Sequence, residues 1–147
     1  MAETKYGKYI VTQARPDRRA SGGPEKNNLP DNRTYMAYLD NKIIPGGIYV
    51  ECVWLWKAFE YPVEPHSHDF DEVLAFFGTD PENPEDLCGE VELCLGDEQH
   101  LLTKSCMVFI PKGLKHCPMN IRRADRPIFH FSTGNATEYI RNQATGA

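Results

Sequence analysis

Short apolar runs alternate with polar positions from residue 34 onward and are broken at close intervals by Gly, Pro, Asn and Asp. This is the pattern of many short strands rather than of long helices. Residues 34–39 read as a first short strand, and 41–47 as a turn region around Pro45-Gly46-Gly47. Residues 48–59 predict one long strand. Ile48, Val50, Cys52, Trp54 and Trp56 share one face, and Tyr49, Glu51, Val53, Leu55 and Lys57 the other. Both faces are rather apolar, as expected of a strand held between a core and a second surface. That second surface suits a subunit interface, where aromatics are enriched. Trp54 and Trp56 are expected in the core, with the pocket wall as the alternative.

Further along, residues 89–95 alternate with period two. Gly96-Asp97 is a turn, and 98–103 pairs back as a hairpin. Strands follow at 106–110 and 116–121, then a charged turn at 122–126, a last strand at 127–132 and a helical turn over 137–142. About nine strands with little helix indicate a sandwich or barrel, an all-β fold. Residues 1–33 are different. They hold one short apolar stretch, Tyr9-Ile10-Val11, and a polar Arg-, Gly- and Pro-rich segment that resists regular structure. They are expected to form an extended arm packed on a barrel of residues 34–147. A sharper alternative has Arg15, Arg18 or Arg19 capping a site and receiving an anionic substrate.

Length and composition agree with one soluble domain. The chain has 147 residues, 41% hydrophobic and 25% charged. No apolar run approaches the roughly 20 residues of a membrane helix, and the first residues lack a signal peptide's apolar core. A cytoplasmic protein with no membrane partner is expected. Five cysteines, Cys52, Cys88, Cys94, Cys106 and Cys117, are an odd number without Cys-X-X-Cys spacing, which fits reduced thiols. Cys52 and Cys106 lie in apolar runs and read as small core residues. Net charge is -5 and unevenly spread: residues 58–103 hold thirteen acidic residues and no Lys or Arg. Such a chain lacks the basic face that nucleic acid requires. The acidic excess is either a solvated loop around residues 80–86 or acidic strands paired with basic ones, within a subunit or across a dimer.

Two stretches carry candidate chemistry. In Pro65-His66-Ser67-His68-Asp69-Phe70-Asp71-Glu72, an extended strand puts His66 and His68 on one side. Glu72 joins them if the strand stays regular. Two imidazoles and a carboxylate on one face suit a divalent cation: iron(II), manganese, nickel, copper or zinc. The second stretch is an apolar strand, a Pro111-Lys112-Gly113 turn, and His116 three residues on. Such a hairpin aims one imidazole inward and could complete a three-His, one-Glu shell. Cys117, the strand neighbour of His116, should point away from it.

Together these stretches resemble the cupin superfamily. Its first motif, His-X-His, three or four residues, Glu, about six residues, Gly, is matched by His66, His68 and Glu72, with Gly78 one residue early. Its second, Pro-X-Gly, two residues, His, three residues, Asn, is matched by Pro111, Gly113, His116 and Asn120. Glu60 and Ser105 stand where each motif normally opens with Gly. The resemblance implies a double-stranded β-helix or jelly-roll barrel, and one divalent metal on His66, His68, Glu72 and His116.

Two histidines remain. His100 in the hairpin is expected to be exposed. His130 lies opposite Phe129 and Phe131: it enters the cavity as a candidate acid or base if those rings lie outside the pocket, and faces solvent if they line it. The pocket lining is expected among Phe70, Phe76, Phe77, Met107, Phe109 and Met119. The resemblance implies a metal-dependent enzyme of dioxygenase, lyase, isomerase or cyclase type, acting on a small oxygenated organic molecule and expected as a homodimer. A non-catalytic small-ligand binder and a purely structural metal are the alternatives.

Overall fold

The structure, a computed structural model, describes residues 4–18, 31–61 and 63–142. Among the described residues, a 3-10 turn at Gly7–Tyr9 is followed by nine strands. These are β1 (Arg33–Leu39), β2 (Val50–Leu55), β3 (Phe59–Tyr61), β4 (Glu72–Phe77), β5 (Asp86–Leu95), β6 (Glu98–Lys104), β7 (Cys106–Ile110), β8 (His116–Ala124) and β9 (Ile128–Gly134). They form two antiparallel sheets, one in the order β1-β2-β9-β4-β7 and the other β3-β8-β5-β6. The fold is an all-β jelly roll, as expected.

The core lies between the sheets. Val53, Leu55, Leu74, Phe76 and Ile128 face inward from the first, and Leu87, Val91, Leu93, Met119 and Ile121 from the second. The period-two alternation puts every second residue of β5 and β9, and of the end of β2, into this layer.

Several boundaries differ from expectation. Residues 48–59 do not form one strand: β2 ends at Leu55, and the chain turns a corner over residues 56–58 to enter the other sheet as β3. Strand β8 continues through Arg122 and Arg123, where a charged turn was expected, because β5 supplies acidic partners. Glu90 is registered with Arg123, and Arg122 makes a bidentate contact with Glu92 (2.8 and 3.0 Å). The acidic excess is thus matched in part by a basic strand of the same chain. No helix forms at 137–142. This segment is tied to distant backbone instead, with Tyr49 N–H donating to Ala136 O and Asn142 N–H to Ser67 O (both 2.8 Å).

The outer face of the five-stranded sheet is apolar. Trp54 and Trp56 stack there, 5.4 Å between ring centroids, and Phe129 packs edge-on against Trp54. Neither tryptophan belongs to the core or to a pocket, because it is the opposite parity of β2 that faces inward. Phe77, Met107 and Phe109 are also on this outer face and are exposed, Met107 at 68% and Phe109 at 61%. They do not line a pocket, and Phe76 is in the core. Cys52 and Cys106 are half-buried, and Cys52 faces outward. All five thiols are free.

At the N-terminal side, Tyr38 N–H donates to Gln13 O at 3.0 Å, so residues before β1 run beside it. Arg15 and Arg18 fall within the described residues; Arg19 lies outside them. No helix among the described residues is long and apolar enough to cross a membrane.

Candidate metal centre

His66 and His116 are joined through their backbones. Each N–H donates to the other's carbonyl, at 3.1 and 2.9 Å, outside the regular ladders. This bridge extends the pairing of β3 with β8 to the start of β8, just before the chain crosses to β4 in the other sheet. The Pro111-Lys112-Gly113 turn is fastened to the same region. Gly113 has φ +84°, which favours glycine, and its N–H donates to His68 O at 2.8 Å. Lys112 N–H donates to Asp71 Oδ1 at 3.0 Å. The chain bends at Asp69-Phe70, and Glu72 then opens β4. Glu72 therefore reaches the histidines through the start of a new strand and not by parity along a continuous one.

The replaced motif glycine has its own structural role. Ser105 Oγ accepts from Gly78 N–H (2.8 Å) and donates to Pro84 O (2.6 Å), closing the turn between β4 and β5.

The four side chains converge. The ligating atoms of His66, His68 and His116 lie within 4.8 Å of one another. Glu72 Oε1 lies 3.1 Å from His116 Nε2 and 3.5 Å from His68 Nε2. All four are buried. Each imidazole is oriented by a backbone carbonyl at its other nitrogen: His66 Nδ1 to Glu64 O (2.7 Å), His68 Nδ1 to Ile140 O (2.7 Å) and His116 Nδ1 to Leu114 O (2.9 Å). A carbonyl only accepts, so Nδ1 carries the proton and Nε2 presents its lone pair to the cluster. Such backing of ligand imidazoles is typical of metal sites.

The arrangement fits a cation on two further grounds. First, His68 Nε2 and His116 Nε2 are fully buried and have no hydrogen-bond partner; their approach to Glu72 lacks hydrogen-bond geometry. Buried polar atoms normally find partners. Second, the protonation states suit one. Burial, with the nearby His116, Arg141 and His68 adding to it, pushes His66 down to about 4, so it is neutral at pH 7. Burial opposes ionisation of Glu72, but positive charge at Nε2 of His116 and His68 outweighs it and holds the carboxyl at about 2; a cation among these nitrogens supplies that charge in place of protons. A neutral His66 beside an ionised Glu72 suits a divalent cation.

A second layer surrounds this set. Tyr49 donates to Glu72 Oε2 at 3.1 Å and is bonded to Ser132 Oγ. Phe70 stacks on His68 at 4.6 Å between centroids, and the Tyr139 ring makes a tilted contact with the same imidazole at 5.0 Å. The Tyr139 hydroxyl donates to His66 Nε2 (3.3 Å) and accepts from Arg141 Nε (2.8 Å). Over the cluster lies a cavity of about 80 Å³, open to solvent. Arg15, Arg18, Tyr49, Glu51, Tyr139 and Arg141 are among its lining residues, and Met119 alone comes from the expected apolar list.

His130 also lines the cavity, with Phe129 and Phe131 on the outer face. Its Nδ1 donates to Ala75 O at 2.8 Å, and its ring stacks on Phe76. Burial depresses it to about 4. His100 is exposed beside Glu98. Cys117 does not point away from the site. It lines the cavity, buried, at φ +75°. The register of β8 against β5 slips between Leu93 and Leu95, and this bulge breaks the alternation that would have separated Cys117 from His116.

The sequence matches no protein-family profile and no curated protein. Comparison of folds is informative. A recombinant oxalate oxidase in complex with glycolate superposes with a TM-score of 0.53 at 16% identity, over 78% of this chain and 56% of that one. A second oxalate oxidase structure gives 0.50, also at 16% identity, over 74% and 53%. This chain has the cupin fold. A cupin-2 domain protein from Rhodospirillum rubrum is also similar, with a TM-score of 0.49, 11% identity and coverage of 78% and 66%. The matched region spans little more than half the length of the oxalate oxidases, and identities this low establish the cupin architecture alone.

Tyr49, Ser132, Tyr139 and Arg141 were not singled out in the sequence. Parity grouped Tyr49 with Val53 and Leu55 on one face, which was the available signal once that face proved to be the inward one. Tyr139 and Arg141 carried none, since their segment read as a helical turn.

Proposed function

We propose that this cupin is a metal-dependent enzyme acting on a small oxygenated organic molecule, with His66, His68, Glu72 and His116 as the ligands of one divalent ion. One observation carries this proposal: two buried imidazole nitrogens without hydrogen-bond partners, on His68 and His116, lie beside the Glu72 carboxylate, and His116 and Glu72 line a solvent-open cavity. A structural ion would not need that opening. The similarly folded oxalate oxidase holds glycolate, a small oxygenated organic molecule, which agrees with the size of the cavity.

A bound divalent ion supplies Lewis-acid polarisation of a coordinated oxygen, or redox chemistry if it is iron, manganese or copper. The chain's own groups do the rest. The three backbone carbonyls orient the imidazoles, and Tyr49 holds Glu72. His130 stands in the wall as a neutral candidate acid or base, its free Nε2 opposite an Nδ1 fixed on Ala75 O.

The test is metal content of the purified protein, by elemental analysis, beside the His66→Ala/His116→Ala double variant. One equivalent in wild type, lost in the variant, supports the proposal. No metal even after reconstitution would leave a small-ligand-binding cupin. Oxygen consumption with candidate substrates then separates dioxygenase from lyase, isomerase or cyclase chemistry.

The same proposal extends to assembly and location. A second copy of the chain covers the outer aromatic face of the five-stranded sheet, giving a homodimer; exposed Met107 and Phe109 support this. Five free thiols fit a reducing compartment such as the cytoplasm.

A further inference from the structure

The residues around the cavity mouth carry an unbalanced charge. Arg15, Arg18 and Arg141 all line it, against the carboxylates of Glu51 and Glu72. Glu72 is turned toward the histidines. Glu51 is shared: its Oε2 lies 4.0 Å from Arg15 Nε. Arg15 also contacts Asp17 Oδ1 at 2.7 Å, and Arg18 lies 4.4 Å above the ring of Tyr35.

Arg141 is placed differently. Its Nε is spent on the Tyr139 hydroxyl, and no carboxylate among the described residues lies within ion-pairing distance. Its terminal nitrogens form a planar fork at the mouth, one hydroxyl away from His66. With a divalent ion on the histidines, three guanidinium charges and two from the ion face three carboxylates, those of Glu51, Glu72 and Asp17.

We infer that the ligand of this cavity is a small carboxylate whose anionic group is gripped by Arg141, with Arg15 lining the same cavity and adding its charge, while its other end reaches the histidine cluster. A guanidinium fork matches a carboxylate in shape and charge, and such paired, charge-assisted bonds are stronger than neutral ones. The assignment rests on the proposed metal centre for one end of the ligand, and on the arginines alone for the other. Tyr139 joins the two ends, because its hydroxyl touches both Arg141 and His66.

The test is calorimetric titration of malonate, and of the uncharged malonamide, into the full chain before and after loading with Co(II). Malonate is expected to bind both forms, more tightly when Co(II) is present, and malonamide at least about tenfold more weakly, in keeping with the strength of hydrogen bonds to charged groups. Arg141→Gln and Arg15→Gln should each weaken malonate by about tenfold on the same ground while leaving Co(II) stoichiometry unchanged. Lys104→Gln, on the far sheet edge, should behave as wild type. Equal binding of malonamide, wild-type affinity in both arginine variants, or no malonate binding to either form would overturn the inference. Failure of Co(II) to bind would count against the metal centre alone, since titration of the metal-free protein still decides the role of the arginines.

Discussion

The hydroxyl of Tyr139 sits 3.3 Å from Nε2 of His66, on the lone pair that a metal would use. Since His66 gives its Nδ1 proton to Glu64 O, Nε2 accepts and Tyr139 donates. A cation must displace this bond to take His66 as a ligand. Tyr139→Phe is therefore expected to raise metal affinity by roughly two- to tenfold, the equivalent of one net hydrogen bond of about 0.5–1.5 kcal/mol. A competition titration against a coloured chelator measures it. Affinity that falls tenfold or more would show that Tyr139 supports the metal site instead.

Tyr49 acts in the opposite sense. Its hydroxyl holds Glu72 without competing for a ligand atom, so Tyr49→Phe should weaken metal binding by about 10- to 100-fold, as expected for loss of a group that orients a ligand. Glu72→Gln should weaken it at least as much, because the charge goes as well. The same competition titration serves, and unchanged affinity in both variants would exclude Glu72 from the ligand set.

Acid should destabilise the metal-free protein well above the carboxylate range. His130 and His66 titrate near 4 in the folded chain and near 6.5 when unfolded. The unfolded chain thus binds more protons between these values, so stability is complete above 6.5 and falls as pH drops toward 4. Fully buried His130 alone contributes on the order of 3 kcal/mol of this change. Urea denaturation at pH 7.5 and at pH 4.5 should give clearly separated midpoints, and His130→Phe should narrow the gap. Glu72, held at about 2, adds its own loss only below roughly 4.5.

The outer sheet face offers a separate test. Met107 and Phe109 project from β7, and Phe109 pairs across to Val73 on β4. Replacing both by Lys should convert a dimer to monomer in sedimentation equilibrium with little effect on the fold, since neither side chain is in the core. A wild-type protein that sediments as a monomer would remove the dimer from the proposal.

Much of this molecule could be read from the chain because its signals are local. His66, His68, Glu72, the Pro111-Lys112-Gly113 turn and His116 are spaced by backbone geometry, and nine strands follow from period-two alternation. What failed depended on distant partners. Nothing near Leu55 announces that the chain changes sheets there, because the corner is set by the packing of two sheets. Parity separated Trp54 from Val53, but which of the two faces inward is decided by β9. Cys117 turned inward through a bulge against β5. Tyr139, Ile140 and Arg141 take their conformation from bonds to Tyr49 and Ser67, far away in sequence, and their own composition favoured a helical turn.

The carbonyl of Ile140 that orients His68 lies 72 residues along the chain from it. His116 meets Glu72, 44 positions earlier in the chain, only after β8 has joined the second sheet. Closing such long loops costs entropy before any ligand meets another, and folds ruled by distant pairings form slowly. The four proposed ligands of an ion come together only once both sheets are in place, so the rate at which a metal is captured with full affinity during refolding would be a clock for the last step of assembly.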